Sequence, residues 1–247
     1  MGNEQEETIG AFWQANPCGE NLVDRDVDWA DWFRRYDAFR YDTEGHILGE
    51  LDSLGLAGKK VLEIGIGQCA DSAQIARRGA LWYGLDLTEA ALERARRRFE
   101  LEGLELGDVR QGSVLEIPYA DNQFDLIYSH GVLHHVPEIR SANEELLRVL
   151  KPGGRLVIMM YHKNSVNFRL SICIFRRIMM IALYGFGCAG GRRMLRSDVF
   201  LGHLENARRE GLFRYLKTKR FTSANTDGPG NPFSKVYDEE DIAEDFS

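Results

Sequence analysis

The sequence predicts an α/β fold with a Rossmann-like, mostly parallel sheet and helices on both faces. From Lys59 onward, short apolar runs alternate with longer amphipathic stretches, the pattern of right-handed βαβ units. The chain has 247 residues, 44% of them hydrophobic and 28% charged, which suits one α/β domain with an insertion.

The elements follow in chain order from these patterns. Residues 27–56 are predicted to be helical, because five aromatic side chains recur there near helical spacing. Strands are predicted at 61–64, 82–86, 108–111, 124–128 and 156–160, with helices between them at 70–78, 89–101 and 139–150. The Pro-Gly-Gly sequence at 152–154 predicts a sharp stop after the third of these helices. A second basic helix is predicted at 198–216 and a last helix at 238–246.

Charge is distributed unevenly along a chain whose net charge is −7. Residues 151–220 hold 15 basic and 3 acidic side chains, whereas residues 1–58 hold 4 basic and 13 acidic ones. The basic segment indicates an anionic partner, either a phosphorylated substrate, a membrane surface or a nucleic acid. Alternatively, it packs against the acidic segments of its own chain.

Composition also indicates a cytoplasmic protein. The four cysteines form no CxxC pair and no dense framework, which is typical of a reducing compartment. The first residues are polar and acidic rather than basic and then apolar, so we expect no secretory leader. An uncharged apolar run of about 18 residues, which a membrane-spanning helix needs, does not occur.

A glycine-rich loop follows the first predicted strand. Gly65 and Gly67 precede a predicted helix, and Asp86 ends the second strand, where a carboxylate can accept hydrogen bonds from both ribose hydroxyls. With Ala70 as a third small residue the loop also fits the dinucleotide fingerprint. Binding of an adenosine-containing ligand is therefore predicted, and an NAD(P)-dependent oxidoreductase remains an alternative.

Four motifs occur in order over about 100 residues: VLEIGIG at 61–67, YGLDLT at 83–88, FDLIYSHGVLHHVP at 124–137 and LRVLKPGGRLV at 147–157. On these motifs the chain resembles class I S-adenosylmethionine-dependent methyltransferases, particularly the type 11 group that acts on small molecules. The resemblance implies S-adenosylmethionine as cofactor and S-adenosylhomocysteine as product. It implies these cofactor-binding residues: Glu63, Gly65, Gly67, Asp86, Leu87, Ser113, Val114 and Ser129.

Two positions depart from the pattern of that group. Cys69 stands where the loop usually has its third glycine, and Ser113 stands where an aspartate usually follows the third strand. A serine accepts a weaker, neutral hydrogen bond from an adenine amino group, worth about 1 kcal/mol against about 1.5–3 kcal/mol for a charged acceptor. We expect cofactor binding to be weaker by about tenfold as a result.

Catalysis of methyl transfer needs alignment of the reacting atoms, and a general base only if the acceptor arrives protonated. The candidate bases are histidines near the ends of the fourth and fifth strands: His130, and above all His134, His135 and His162. The i, i+4 spacing of His130 and His134 suits a metal ion on a helix, but the sequence shows no third ligand. We therefore expect no metal.

The segment at 164–236 is predicted to be a basic helical insertion that forms a lid over the active site. Residues 168–187 within it are apolar but contain three arginines, so the alternative is a helix lying on a membrane surface. An apolar lid indicates a small hydrophobic acceptor, with Trp13, Tyr41 and Tyr161 lining its pocket. Nucleic acid is not expected as a substrate, because SHGV at 129–132 differs from the motif of amino-directed base methyltransferases.

These segments give a domain division of 1–58 as an N-terminal helical cap, 59–163 as the cofactor-binding core, 164–236 as the insertion and 237–247 as the last helix. The antiparallel hairpin that usually ends this fold is not found after that helix. Either the chain is truncated, or a partner, such as a second copy, completes the exposed sheet edge. The predicted activity is methyl transfer to oxygen, nitrogen or carbon of the acceptor; a cofactor-binding module without turnover is the other alternative.

Overall fold

The computed structural model describes residues 2–19, 27–187 and 198–246. They divide into two compact units: one holds residues 13–133 and 138–159, and the other holds residues 1–12, 134–137 and 160–247. We refer to them as the sheet unit and the helical unit. The helix α1 (Gly2–Ala15) crosses the boundary between them. Cys188 and most of the predicted turn at 185–191 lie outside the described residues.

The sheet unit contains five parallel strands in the order β3-β2-β1-β4-β5. The strands are β1 (Lys60–Ile64), β2 (Leu81–Asp86), β3 (Leu106–Gln111), β4 (Phe124–His130) and β5 (Leu150–Met159). The helices are α2 (Trp29–Thr43), α3 (His46–Ser53), α4 (Ala70–Arg77), α5 (Glu89–Glu102) and α6 (Ile139–Val149). The predicted α/β class with a parallel sheet is confirmed.

The core of this unit lies between the central strands and the helices that cross over them. Val61, Trp82 and Leu126 from three adjacent strands are fully buried against Ile75 of α4 and Phe99 of α5. Alternation of buried strands with amphipathic helices is what the sequence pattern predicts, so the predicted bounds of the strands and helices are close to the observed ones.

One predicted boundary is wrong. The helix α6 ends at Val149, just ahead of the Pro-Gly-Gly sequence as predicted, but β5 begins at Leu150 and not at residue 156, so Pro-Gly-Gly lies inside β5. Leu150 pairs with Phe124, whereas Arg155 pairs with Leu126, so three extra residues bulge out of β5 at this point. A proline is tolerated there because β5 is an edge strand, and Gly153 takes the positive φ of +77° that the bulge needs.

The helical unit consists of a π-helix (Asn167–Phe175) that continues directly into α7 (Arg176–Gly187), followed by shorter helices. These are α8 (Asp198–Glu210), α9 (Leu212–Tyr215), α10 (Thr218–Thr226) and α11 (Glu239–Asp245). Its core contains Ile172, Leu204, Tyr215 and Phe221.

Two further predictions change in this unit. The single basic helix predicted at 198–216 is broken at Gly211, whose φ of +85° is outside the helical region. The sequence at 212–222 fits either a strand or a helix, and the structure forms the helices α9 and α10 there. The basic side chains of this segment fit a strand and a helix equally well in the sequence. The packing of Tyr215 and Phe221 into the core favours the helix. Among the described helices, none has the length and apolar character needed to cross a membrane.

Candidate functional site

The loop between β1 and α4 is held by the carboxylate of Asp86. Asp86 Oδ2 accepts hydrogen bonds from the backbone N–H of Ile66 at 2.9 Å and of Gly67 at 3.4 Å. Its Oδ1 accepts from the backbone N–H and the hydroxyl of Thr88, at 2.9 and 2.7 Å. Burial raises the pKa of Asp86, and these four hydrogen bonds oppose that rise. The predicted pairing of a glycine loop with a distant acid therefore exists as a connected structure at the carboxyl ends of β1 and β2.

The two glycines of the loop have different reasons to be glycine. At Gly65, with φ +73°, an added Cβ would lie 2.3 Å from a methyl group of Val132, so the loop after β4 packs directly on the backbone. At Gly67, with φ +50°, an added Cβ would meet no atom within 4 Å. Gly67 therefore borders open space beside the loop, as a residue under a ligand does.

The remaining predicted cofactor residues follow the ends of neighbouring strands in the same unit. Ser129 is buried on β4 and donates from Oγ to the carbonyl of Ile64 at 3.3 Å, joining β4 to the start of the loop. After β3, Ser113 Oγ accepts the N–H of Leu115 at 2.9 Å, and Val114 is buried. Leu87 is half-buried and follows Asp86 directly. The carboxyl edge of β1 to β4 thus holds every predicted cofactor residue.

Cys69, the first departure from the family pattern, does not place its side chain in the loop. It is fully buried in the core, and its Sγ lies 3.8 Å from the carbonyl oxygen of Ala91 in α5. Its backbone takes the φ of +62° that a glycine would take at the start of α4. The side chain of Cys69 therefore does not project into the loop beside the predicted cofactor residues, because the thiol points into apolar packing.

Glu63 on β1 is also buried, and its Oε2 accepts the indole N–H of Trp82 at 2.7 Å. Burial, and next the negative charge of Asp71, raise the pKa of Glu63 to about 8. At neutral pH the side chain is therefore mostly protonated, which the sequence does not reveal.

A cluster around Asp71 in the first turn of α4 was missed by the sequence analysis. Asp71 Oδ1 accepts from Arg40 Nε at 2.9 Å and from the hydroxyl of Tyr41 at 3.0 Å, and Oδ2 accepts from the hydroxyl of Tyr128 at 3.2 Å. Burial would raise the pKa of Asp71, but the hydrogen bonds and charge of Arg40 outweigh it, and the pKa lies below its ordinary value. Nη2 of Arg40 also lies 3.3 Å from Nδ1 of His130.

Two residues that the sequence analysis named as candidate site residues, Tyr41 and His130, belong to this Asp71 cluster. Tyr41, predicted to line the acceptor pocket, donates its hydroxyl to Asp71, and its role toward an acceptor stays a prediction. The pKa of His130, a candidate base, is lowered by burial and then by the charge of Arg40. Trp13 is half-buried in α1. The only signal for this cluster in the sequence is the adjacent pair Arg40 and Tyr41 in a predicted helix that is rich in aromatic residues.

The other predicted catalytic residues belong to the helical unit. His134 and His135 lie in a 3-10 turn (Leu133–His135) and are buried, with ring centroids 4.3 Å apart. Burial lowers the pKa of His135, although the charge of Asp227 opposes the shift. Tyr161 lies with its ring centroid 3.9 Å from that of His134 and donates its hydroxyl to Asp227 Oδ1 at 2.9 Å. His162 is exposed, and its Nδ1 accepts the N–H of Asn164.

Comparison with known proteins agrees with the geometry of the sheet unit. Residues 62–158 match a family model described as a methyltransferase domain. Residues 62–158 therefore form a methyltransferase domain, and the curated relatives of the chain are methyltransferases. S-adenosylmethionine is the cofactor of this family, so the alternative of an NAD(P)-dependent oxidoreductase is dropped.

Individual relatives cover the chain to different extents. A ubiquinone biosynthesis O-methyltransferase of Marinobacter nauticus is 29% identical over 75% of this chain and 74% of its own length. A demethylmenaquinone methyltransferase of Clavibacter sepedonicus is 38% identical over 42% of this chain and 41% of its own. Further curated relatives are matched over about half of their length or less. Among solved structures, an S-adenosylmethionine-dependent methyltransferase from Mesorhizobium loti is 26% identical with a TM-score of 0.41, covering 46% of this chain and 53% of its own.

The groups at the carboxyl edge of the sheet unit fit this cofactor. Asp86 is a half-buried carboxylate at the end of β2, and Gly67 borders open space beside it. Asp86 already accepts four hydrogen bonds from its own chain, which is the full number that two carboxylate oxygens take. A ribose hydroxyl would therefore replace a donor, and the longest of the four, the Gly67 N–H at 3.4 Å, is the weakest.

Proposed function

We propose that this chain transfers the methyl group of S-adenosylmethionine to a small, hydrophobic acceptor. The observation that carries the proposal is the loop of Gly65 and Gly67 tied to Asp86 at the carboxyl edge of a parallel sheet. Ligands of open α/β sheets bind at this edge. The sulfonium of the cofactor supplies an activated methyl group, and the chain supplies binding and alignment.

Each residue contributes through the chemistry of its side chain. Asp86 would accept the ribose hydroxyls, and the turn at Ser113 and Val114 would face the adenine. Glu63, buried and largely protonated at neutral pH, can donate a hydrogen bond as well as accept one. Because a displacement at methyl needs the acceptor atom in line with the sulfur, positioning contributes more than acid–base chemistry.

A general base would be required for a protonated acceptor. We keep His134 and His135 as the candidates, because burial holds the imidazole of His135 neutral and hence able to accept a proton. His162 is the weaker candidate, since it is exposed and its Nδ1 is already an acceptor for a backbone N–H. Tyr161 and Trp13 remain candidates for contact with the acceptor.

The hydrophobic character of the acceptor is supported by the surface of the helical unit. Along the π-helix and α7, Leu170, Ile174, Ile178 and Ile181 recur every three or four residues, and each is exposed. A cavity of about 230 Å³ in the same unit is lined mainly by methionine, leucine and phenylalanine side chains. One relative is a ubiquinone biosynthesis O-methyltransferase and another is a demethylmenaquinone methyltransferase, and a hydrophobic acceptor for this chain would agree with both.

The exposed apolar row together with the excess of basic residues at 151–220 also fits a helix that lies on an anionic membrane surface, where a hydrophobic acceptor would be dissolved. Sedimentation with vesicles tests it: vesicles containing anionic lipid should bind the chain, and Ile178→Asp should weaken that binding at least fivefold. Equal binding of both proteins would contradict this contact. The lid over the active site remains a separate prediction.

The cofactor is tested by calorimetric titration with S-adenosylmethionine, S-adenosylhomocysteine and, as a control, NADH. We expect micromolar binding of the first two and none of NADH. Asp86→Asn should weaken binding at least tenfold, whereas Asp121→Asn, an exposed carboxylate at a distance in sequence from the loop, should not. Binding that Asp86→Asn leaves unchanged would contradict the assignment. Tight binding without any product across a panel of hydrophobic acceptors would favour a cofactor-binding module without turnover.

A further inference from the structure

Three side chains with metal-binding atoms meet within the helical unit. The ligand atoms of His134, His135 and Asp227 all lie within 4.8 Å of one another; both imidazoles are buried and the carboxylate is half-buried. We propose that these three residues bind a divalent transition metal ion of the zinc type. None of the three is a predicted cofactor residue, but His134 and His135 are also the candidate bases of the proposed methyl transfer. The two roles exclude each other, because an imidazole whose lone pair binds a metal ion cannot accept a proton.

The orientation of His135 is the first argument. Its Nδ1 lies 2.8 Å from the carbonyl oxygen of Phe233, which can only accept, so Nδ1 carries the hydrogen of a neutral ring. The Nε2 lone pair then faces Asp227 Oδ2 at 3.5 Å. A positive centre near both atoms, either a proton on Nε2 or a metal ion, makes this arrangement favourable. A histidine that donates its second N–H to a backbone carbonyl is also the usual arrangement of a metal ligand.

The distances are the second argument. Bonds of 2.0–2.1 Å at a tetrahedral zinc ion place two ligand atoms about 3.3 Å apart. The separation of 3.5 Å between His135 and Asp227 already fits, and the widest pair, at no more than 4.8 Å, needs to shorten by about 1.5 Å.

The carboxylate is held in place before any ion binds. Asp227 Oδ1 accepts the Tyr161 hydroxyl at 2.9 Å. Oδ2 lies 3.5 Å from His135 Nε2 and accepts long hydrogen bonds from Asn231 Nδ2 at 3.4 Å and Ser234 Oγ at 3.5 Å. The loop that follows is fixed by Asn206 Nδ2, which donates to the carbonyl of Pro229 at 2.7 Å, and by the N–H of Ser234, which donates to Ser223 Oγ at 2.9 Å. The site therefore does not require metal-driven folding, and binding can be measured directly.

The donor set selects the class of ion. Two imidazole nitrogens and one carboxylate suit zinc and its neighbours, whereas magnesium and calcium prefer oxygen ligands throughout. Three protein ligands leave a fourth position for water or for an oxygen atom of a bound molecule. The arrangement without metal is an imidazolium paired with the carboxylate, and it is the alternative outcome of the test.

The test uses the full chain after treatment with a chelator. Zn²⁺ titrated in a calorimeter should bind with a stoichiometry near one ion per chain and micromolar or tighter affinity, and Co²⁺ should give the visible absorption of a tetrahedral site. Asp227→Asn and His135→Gln should each weaken binding at least about 30-fold, since even loss of a residue that only orients a ligand costs 10–100-fold. His46→Gln, which removes an exposed histidine from α3, should leave the affinity unchanged.

Three results would overturn the proposal. These are no binding, binding that Asp227→Asn retains in full, and equal losses in all three variants; the last two would mean an adventitious ion only. Circular dichroism and thermal unfolding check that each variant is folded. If one variant does not fold, the other decides, because each removes one of the three proposed ligands.

Discussion

The buried carboxyl of Glu63 makes the stability of the sheet unit depend on pH. Its pKa is raised to about 8 from an ordinary 4.5, first by burial and then by the charge of Asp71. A group whose pKa is higher in the folded state stabilises the fold fully below its unfolded pKa, and that stability is lost as the pH rises through the folded pKa. For Glu63 this loss takes place between about pH 4.5 and pH 8.

Glu63→Gln removes this titration. The glutamine keeps an oxygen that accepts the indole N–H of Trp82, so the hydrogen bond at 2.7 Å can be retained. A gap of about 3.5 pH units corresponds to about 5 kcal/mol in total, of which about 2.5 kcal/mol falls between pH 6 and pH 9. Relative to the unaltered chain, the variant should therefore gain about 2.5 kcal/mol in unfolding free energy from pH 6 to pH 9.

Urea unfolding followed by circular dichroism at pH 6 and pH 9 measures the difference for both proteins. Glu100→Gln, which changes an exposed carboxyl of α5, is the matched control and should shift the unfolding free energy by no more than about 0.5 kcal/mol at either pH. A difference between the Glu63 variant and the unaltered chain that is the same at both pH values would refute the raised pKa.

Four other changes test the packing and the site. Gly65→Ala should destabilise the chain by about 2–4 kcal/mol, because its Cβ meets a methyl group 2.3 Å away at a φ of +73°. The added methyl group of Gly67→Ala meets no atom, so the variant should lose only about 1–2 kcal/mol of stability in chemical unfolding. Its loss of S-adenosylmethionine binding free energy, measured by calorimetry, should be larger than this loss of stability. Arg98 is fully buried and donates from Nη1 to Asp37 at 2.9 Å, so Arg98→Ala should cost about 3–5 kcal/mol, and the double variant Arg98→Met, Asp37→Asn should cost less. Ser113→Asp should bind S-adenosylmethionine about tenfold more tightly, and an unchanged Kd would count against its contact with the adenine.

The sheet and its cofactor edge were predictable because their signals are local. Each strand is a short apolar run that ends in a loop, and each cofactor residue lies within a few positions of a strand end. Asp86 is recognisable for the same reason, since it ends β2 at a fixed spacing from the glycines. Even the bulge in β5 follows from the proline and glycines once the strand is known to be at the edge.

The contacts that the sequence did not reveal join residues far apart in the chain. Arg40 and Asp71 are 31 positions apart, and His135 and Asp227 are 92 apart, with no periodic pattern connecting either pair. The histidine pair that the sequence spacing indicated was His130 and His134, whereas the structure brings His134 and His135 together with Asp227. The Asp227 carboxylate comes instead from a loop that looked like a turn, since its glycines and prolines are the dominant local signal.

The state of Asp86 determines how cofactor affinity should be interpreted in this protein. Its four hydrogen bonds to Ile66, Gly67 and Thr88 keep the loop in shape without a ligand, so the loop is preorganised. Each ribose hydroxyl, however, must take the place of a donor that is already bound. The net gain is therefore the difference between two hydrogen bonds to the same carboxylate, and it is largest where the displaced bond is weakest, at the N–H of Gly67. The geometry of Gly67, and not the charge of Asp86 alone, should set how tightly S-adenosylmethionine is held.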